Sequence, residues 1–229
     1  MRARRTLNRI HVWLGWLVGI PLFFWTVSGL WMAARPIEEV RGEHLRSKPI
    51  ALELKTVPVF PQANGLAIQS VKLEQQHSGP VWIIALANGV QKRASAHDGT
   101  WLGRVGKSEA GQIAKSSYAG RGDIVSLEPF AAAAAPLDVR KARPSWRARF
   151  SDGTNVYVDA DTGAVLALRS RQWRAYDFMW GLHIMDLETR EETSHVLLIA
   201  FAAMAATSTV LGLILLPLAS RRRKAKPDN

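Results

Sequence analysis

RARFSDGTNVYVDADTGAVLAL, residues 147–168, alternates apolar and polar side chains on both sides of an Asp-Gly pair. A period of two is the mark of a strand with one buried face. Asp152-Gly153 suits a tight hairpin turn, because such turns need residues that tolerate positive φ. Thr162-Gly163 punctuates the stretch again before a last short strand. The segment predicts an antiparallel sheet connected by tight turns.

The same punctuation occurs 64 residues earlier. At that offset Trp82 falls on Trp146, Gly89 on Gly153, Ala96 on Ala160, Gly99 on Gly163 and Leu102 on Leu166. Asn88-Gly89 and Asp98-Gly99 thus mirror the two later turns. Upstream, VKLE (71–74) matches VSLE (125–128) at an offset of 54, and the insertion around FAAAAAPLDVRKARP absorbs the difference. Short helices are expected ahead of each VxLE strand, at 59–68 and 107–119. The expectation is two units of one helix and three or four antiparallel strands, about 56–106 and 107–170. One such unit is small for a core of its own, so the two should pack together.

Two long apolar runs flank this middle. Residues 11–34 carry no formal charge with His11 neutral, and 196–220 carry none. About 20 helical residues cross a hydrocarbon core, so both runs are long enough. Trp13, Trp16 and Trp31 sit where interfacial aromatic belts form. The first run is longer than the 7–15 apolar residues of a cleaved signal, so a retained anchor is expected. The second span is expected over 190–220, entered through an amphipathic surface helix at 171–188. Trp173, Tyr176, Trp180, His183 and Leu187 stripe that helix,. Thr189-x-x-Glu192 is a capping-box pattern that marks a new helix start.

The charge follows the same plan. The chain has 30 Lys and Arg, 19 Asp and Glu, and a formal charge of +11. The tails 1–10 and 221–229 supply 9 − 1 = +8 of this, leaving 21 − 18 = +3 for the middle. A nucleic-acid domain would carry the excess on its folded part, so that function is excluded. Basic tails beside apolar spans read as cytoplasmic flanks. The expected topology is an inner (plasma) membrane protein, both termini inside and 35–170 in the periplasm. Cysteine is absent, which removes disulfides, thiolate metal sites and cysteine catalysis,. None of the common hydrolase, zinc-protease or nucleotide motifs occurs in its proper context.

VYVDADTGAVL resembles the close of a PepSY domain, which usually reads D-x-x-T-G. NRIHVWLGW with its span ending TVSGL, and WRAYDFMWGLHIMDLETRE before the second span, are similar to the membrane entries of PepSY-associated transmembrane proteins. The resemblance implies an α+β fold with two transmembrane helices flanking tandem PepSY-like repeats. Larger four-span relatives resemble haem-containing reductases of siderophore-iron uptake. Other PepSY proteins act as periplasmic regulatory or peptidase-inhibiting modules. The resemblance therefore leaves two functions open. One is an accessory to membrane electron transfer or iron handling with b-type haem, possible as a reductase component rather than an autonomous enzyme. The other is a tethered, non-enzymatic module that binds a periplasmic or membrane partner.

Haem ligation would fall to histidines. His11, His183 and His195 are the candidates, with His44 a lesser one. Bis-histidine ligation needs two imidazoles at one membrane depth. His11 opens the first span at the inner side and His195 the second at the outer side, roughly 30 Å apart. An inner-side haem would need His11 from two chains, brought together by the Gly15-x-x-x-Gly19 face in a homodimer. His183 and His195 converge only if a turn interrupts the helix between them. His77 and His97 sit by turns and are expected to be solvated. Thr26, Ser28, Thr207, Ser208 and Thr209 are expected to bond backbone or pack helices within the spans rather than to catalyse.

Overall fold

The structure is a computed structural model that describes the backbone of residues 2–224 and the side chains of 5–217. Of the basic tails, Met1 and residues 225–229 lie outside the described residues. The chain divides into two compact units. One comprises residues 1–35 and 175–229, the other 36–174.

The first unit is a helical hairpin. Helix α1 (Arg2–Ala33) and helix α5 (Val196–Lys224) are both apolar and both long enough to cross a membrane. Neither behaves as a core helix, since Trp13, Trp16 and Leu30 on α1 and Val196 and Leu216 on α5 remain 65–73% exposed. A soluble helix buries such residues; a lipid-facing one leaves them out. The buried positions of α1 are Val18, Ser28 and Met32, and those of α5 are Phe201 and Ser208. His11 of α1 lies beside Gly212 of α5. Val18, Ser28 and Met32 on α1, and Phe201 and Ser208 on α5, recur near whole helical turns, so each helix turns one stripe inward,.

The second unit holds two four-stranded antiparallel sheets. Sheet one has β1 (Ile68–Gln76), β2 (Gly79–Leu86), β3 (Gln91–Ser95) and β4 (Trp101–Leu102), in that order. Sheet two has β5 (Ile124–Phe130), β6 (Ser145–Phe150), β7 (Asn155–Asp159) and β8 (Val165–Arg169), in the same order. The turns repeat bond for bond. Gly89 N donates to Leu86 O as Gly153 N does to Phe150 O, and Gly99 N to Ser95 O as Gly163 N does to Asp159 O. Asn88 and Asp152 each accept the amide two residues on. All four glycines have φ between +74° and +84°, where a side chain would be strained,.

Two sequence expectations are corrected here. Residues 59–68 form no helix, so the first half is a sheet without the helix of the second. Pro58 and Pro61 disfavour helical backbone in the residues before them. Val59 N instead donates to Ala96 O, and Trp82 Nε1–H donates to Val59 O. The upstream strands also align at an offset of 56, not 54. Ser70 pairs with Ala85 as Ser126 pairs with Arg149, which is 64 beyond Ala85.

After the short helix α2 (Ile37–Arg41), helix α3 (Lys107–Ser117) covers one face of sheet two. Ala110, Ile113 and Ala114 pack on Ala148, Phe150, Val156, Val158 and Leu168. Burying a side chain such as Phe150 is worth about 1.5–3 kcal/mol. The insertion has a structural role on the other face, where Val139 packs on Tyr157 and Ala167. Strand β7 is consequently buried at every position. The two halves of the unit join mainly through polar contacts. Arg93 binds Glu109, and Gln76 Nε2 donates to Thr162 O at 2.7 Å.

Candidate functional site

The sequence candidates are histidines, and the helical hairpin seats three of them differently. Helix α4 (Arg171–His183) starts with Trp173 N donating to the Ser170 hydroxyl at 3.0 Å,. It ends at His183, not at 188. Asp186 N bonds Gly181 O and Met185 N bonds Leu182 O, with Met185 at φ +59°. This is a Schellman stop with methionine where glycine is usual. Leu187 lies beyond the helix and is exposed.

His183 packs onto α1. Its ring stacks on Trp25 at 4.6 Å between centroids and 16° between planes, with Trp180 at 6.5 Å. Gly29 leaves the space, for a β-carbon there would meet His183 Cε1 at 3.0 Å. His183 Nδ1 lies 3.1 Å from both Trp25 O and Ser28 Oγ. A carbonyl oxygen only accepts, so a hydrogen bond to Trp25 O requires the proton on Nδ1, and a neutral ring so held has its lone pair on Nε2,. Ser28, 1% exposed, also donates to Trp25 O at 2.9 Å. Thr26, Thr207 and Thr209 donate to main-chain oxygens four residues back.

His195 caps α5. Its carbonyl accepts Ile199 N at 3.1 Å, and its Nδ1 accepts Leu197 N at 3.4 Å. The second apolar helix therefore starts at Val196 rather than 190. Thr189 starts no helix. Asp186 takes the capping role instead, accepting Glu188 N, Thr189 N, Glu191 N and Glu192 N as well as the Thr189 hydroxyl. The Thr189 hydroxyl, with the amides, holds the Asp186 carboxyl far below the usual carboxylate range. Arg190, at φ +58°, binds buried Asp177 at 2.8 Å. A β-carbon on Gly181 would lie 2.9 Å from Asp186 O and 2.7 Å from Arg190 Cγ. The three-residue spacing from Asp186 to Thr189 was the available sign that Asp186, not Thr189, is the organiser.

These placements separate the candidates. His11 Nδ1 is buried against Gly212, without a hydrogen-bond partner among the described residues. His11 and Ser28 are 17 residues apart on α1, about 26 Å along the axis. His11 and His183 therefore serve different depths. Gly212 and His195 are also 17 residues apart, so in an antiparallel hairpin His195 comes to the level of Ser28 and His183,. Gly15 and Gly19 lie away from the α5 seam, in a shallow groove with Val12, Trp16, Ile20 and Phe23. His44 belongs to the other unit and is exposed, as are His77 and His97 in their turns. Among the described residues, no three His, Asp or Glu side chains group as a metal site.

In the second unit, the turn 159–163 has its own chemistry. Asp159 is 1% exposed; its Oδ1 accepts Asp161 N and Thr162 N, and its Oδ2 accepts Arg143 Nε–H at 2.6 Å. The D-x-x-T-G signature is thus a buried carboxylate that ties the β7–β8 turn to the insertion. Tyr157 donates to Asp138 at 3.0 Å. Burial, then the Asp138 charge, pushes its hydroxyl up to about 12.

No curated protein and no solved structure matches the chain significantly. The family model described as "Peptidase propeptide and YPEB domain", PepSY, matches residues 104–169. That span takes in α3 and all of sheet two and leaves sheet one outside. With its helix on one face and its D-x-x-T-G turn at the β7–β8 hairpin, the segment 104–169 is a PepSY domain.

Proposed function

We propose that this chain is a membrane-anchored PepSY module that works by binding another polypeptide. The supporting observation is a PepSY domain carried between two apolar helices that bury little of their own surface. The family description names peptidase propeptides, so an extracytoplasmic peptidase is the class of partner. In this reading the membrane is the inner membrane, both termini are cytoplasmic, and residues 36–174 lie outside. Sheet one is a second, helix-free copy of the same strand plan. The test is photocross-linking in native membranes from exposed Lys115 on α3. One discrete adduct with a peptidase supports the reading; no adduct from Lys115 or from exposed Val125 on β5 overturns it.

A second reading keeps the electron-transfer role, with b-type haem. The observation in its favour is His183, whose Nδ1–H is engaged by Trp25 O and whose Nε2 is left for a ligand bond,. In that reading His183 would be one ligand, and His195, at the same level, would serve as the second only by releasing the Leu197 N–H that its Nδ1 accepts; His11 is too far along the helix to share that iron,. Haem would supply one-electron chemistry. Purified protein from haem-replete cells would show a Soret band lost in His183→Ala. Colourless protein removes this reading and leaves the binding module.

A further inference from the structure

The outer edge of sheet one is open. Gln76 and Gly79 close a two-residue hairpin. Ala96 N donates to Pro80 O and Leu86 N to Val90 O, so the even-numbered residues of β2 turn their main chain toward β3. The odd-numbered ones face β1, where their partners are Ser70, Lys72, Glu74 and Gln76. It follows that Val71, Leu73 and Gln75 point N–H and C=O away from the sheet. None of these outward groups has a partner among the described residues. The segment 47–50 passes beside the hairpin end, near Glu74 to His77, and bonds none of them.

A nine-residue edge strand without proline or glycine, open at Val71, Leu73 and Gln75, is a template for pairing with another chain,. The other sheet shows the contrast. Pro129 stands opposite Trp146 as Leu73 stands opposite Trp82. Proline has no N–H, so β5 is blocked where β1 is open. Strand β4 has only two residues.

The charges on β1 select a partner. Lys72 is exposed and Glu74 half-buried, and neither forms an ion pair among the described residues. We propose that β1 pairs antiparallel with β1 of a second copy, about a two-fold axis through Leu73. Leu73 then faces the partner's Leu73, and Val71 faces the partner's Gln75. Three narrow pairs exchange about six main-chain bonds, using the outward groups. Lys72 falls opposite the partner's Glu74, twice, in the wide pairs where side chains approach closest. A shift of the axis to Val71 or Gln75 loses both charge pairs. The interface makes one eight-stranded sheet from two four-stranded ones.

The test uses the full chain in detergent or nanodiscs. Lys72→Glu and Glu74→Lys each set like charges opposite, and each should raise the dimer dissociation constant by roughly tenfold or more. The double exchange Lys72→Glu with Glu74→Lys restores complementarity and should restore the dimer. The two single variants, when mixed, should prefer each other. The chain has no cysteine, so a mixture of Lys72→Cys and Glu74→Cys chains reports the register directly. Those chains should form a disulfide on mild oxidation. A monomer at all concentrations, a dimer indifferent to charge reversal, or a mixture that forms no disulfide would overturn the proposal.

Discussion

Arg93 holds Glu109 with both guanidinium ends, Nη1 at 2.5 Å and Nη2 at 2.7 Å, while Arg93 itself is 4% exposed. Its Nε also donates to Gly103 O at 2.9 Å. This fork joins β3 to α3, and so the first half of the second unit to the PepSY domain. Glu109→Ala leaves a buried guanidinium half satisfied. Chemical denaturation should show a loss of about 2–4 kcal/mol. Arg93→Met should cost less, because Glu109 is partly exposed and regains water. An equal or reversed order would show that the pair is not the link described.

Gly181 is a packing glycine. Alanine there would press a methyl against Asp186 O and Arg190, and Asp186 O is main chain that the Schellman stop holds in place. Gly181→Ala should lower stability by about 1–3 kcal/mol, the range for overpacking. Gly15→Ala is the control, since nothing lies within 4 Å of its β-carbon. That change should be neutral in a thermal melt, or slightly stabilising from helix propensity.

Asp186 gives the α4–α5 loop an acid limit. Its carboxyl is held far below the usual range by the Thr189 hydroxyl and by amides. A depressed folded pKa means stability present above the unfolded value and lost as pH falls through and below it. Melting temperature should therefore drop as pH is lowered below about 4, the unperturbed aspartate value. Asp186→Asn should remove most of that dependence while lowering stability at neutral pH. A variant with the same acid slope as the parent would assign the slope elsewhere.

Tyr157 sets the alkaline side. Burial and Asp138 raise its hydroxyl to about 12, and burial with Asp152 raises Tyr118 as well. A raised tyrosine pKa means stability present below the ordinary value and lost as pH rises toward the folded one. Among the three tyrosines, Tyr157 should titrate about two units late by ultraviolet absorbance, near the alkaline unfolding step,. Tyr157→Phe should delete that late phase.

Much of the strand plan was legible because its determinants are local. Alternation at 147–168 and glycine at 89, 99, 153 and 163 act within a few residues, and the structure places each in the expected turn. The register of the upstream strands was not. Strand side chains repeat every two residues, so a slip of two, from offset 56 to 54, leaves every residue on the same face. VKLE and VSLE then match by letters and not by position. The site was less legible than the sheets. His183 was singled out from its aromatic stripe, but its bonds to Trp25 O and Ser28 come from a helix 150 residues away. Asp186 and Gly181 were missed because a methionine, not a glycine, takes the left-handed position at 185.

By itself the sequence determined two apolar runs, a turn-punctuated sheet and a PepSY signature, because apolar length, alternation and glycine placement act through the local backbone. Only the tertiary structure decided that 59–68 is extended, that the entry helix stops at His183, that Pro129 and not Leu127 is the counterpart of Leu73, and that His183 stacks on Trp25 with its Nδ1 beside Ser28. Each of those depends on a partner outside its own local segment: Ala96 for Val59, Arg190 packed on Gly181 for the helix end, Trp146 for Pro129, and Trp25 for His183. Local preference proposes a conformation, and the hydrogen bond or packing contact formed far along the chain selects it.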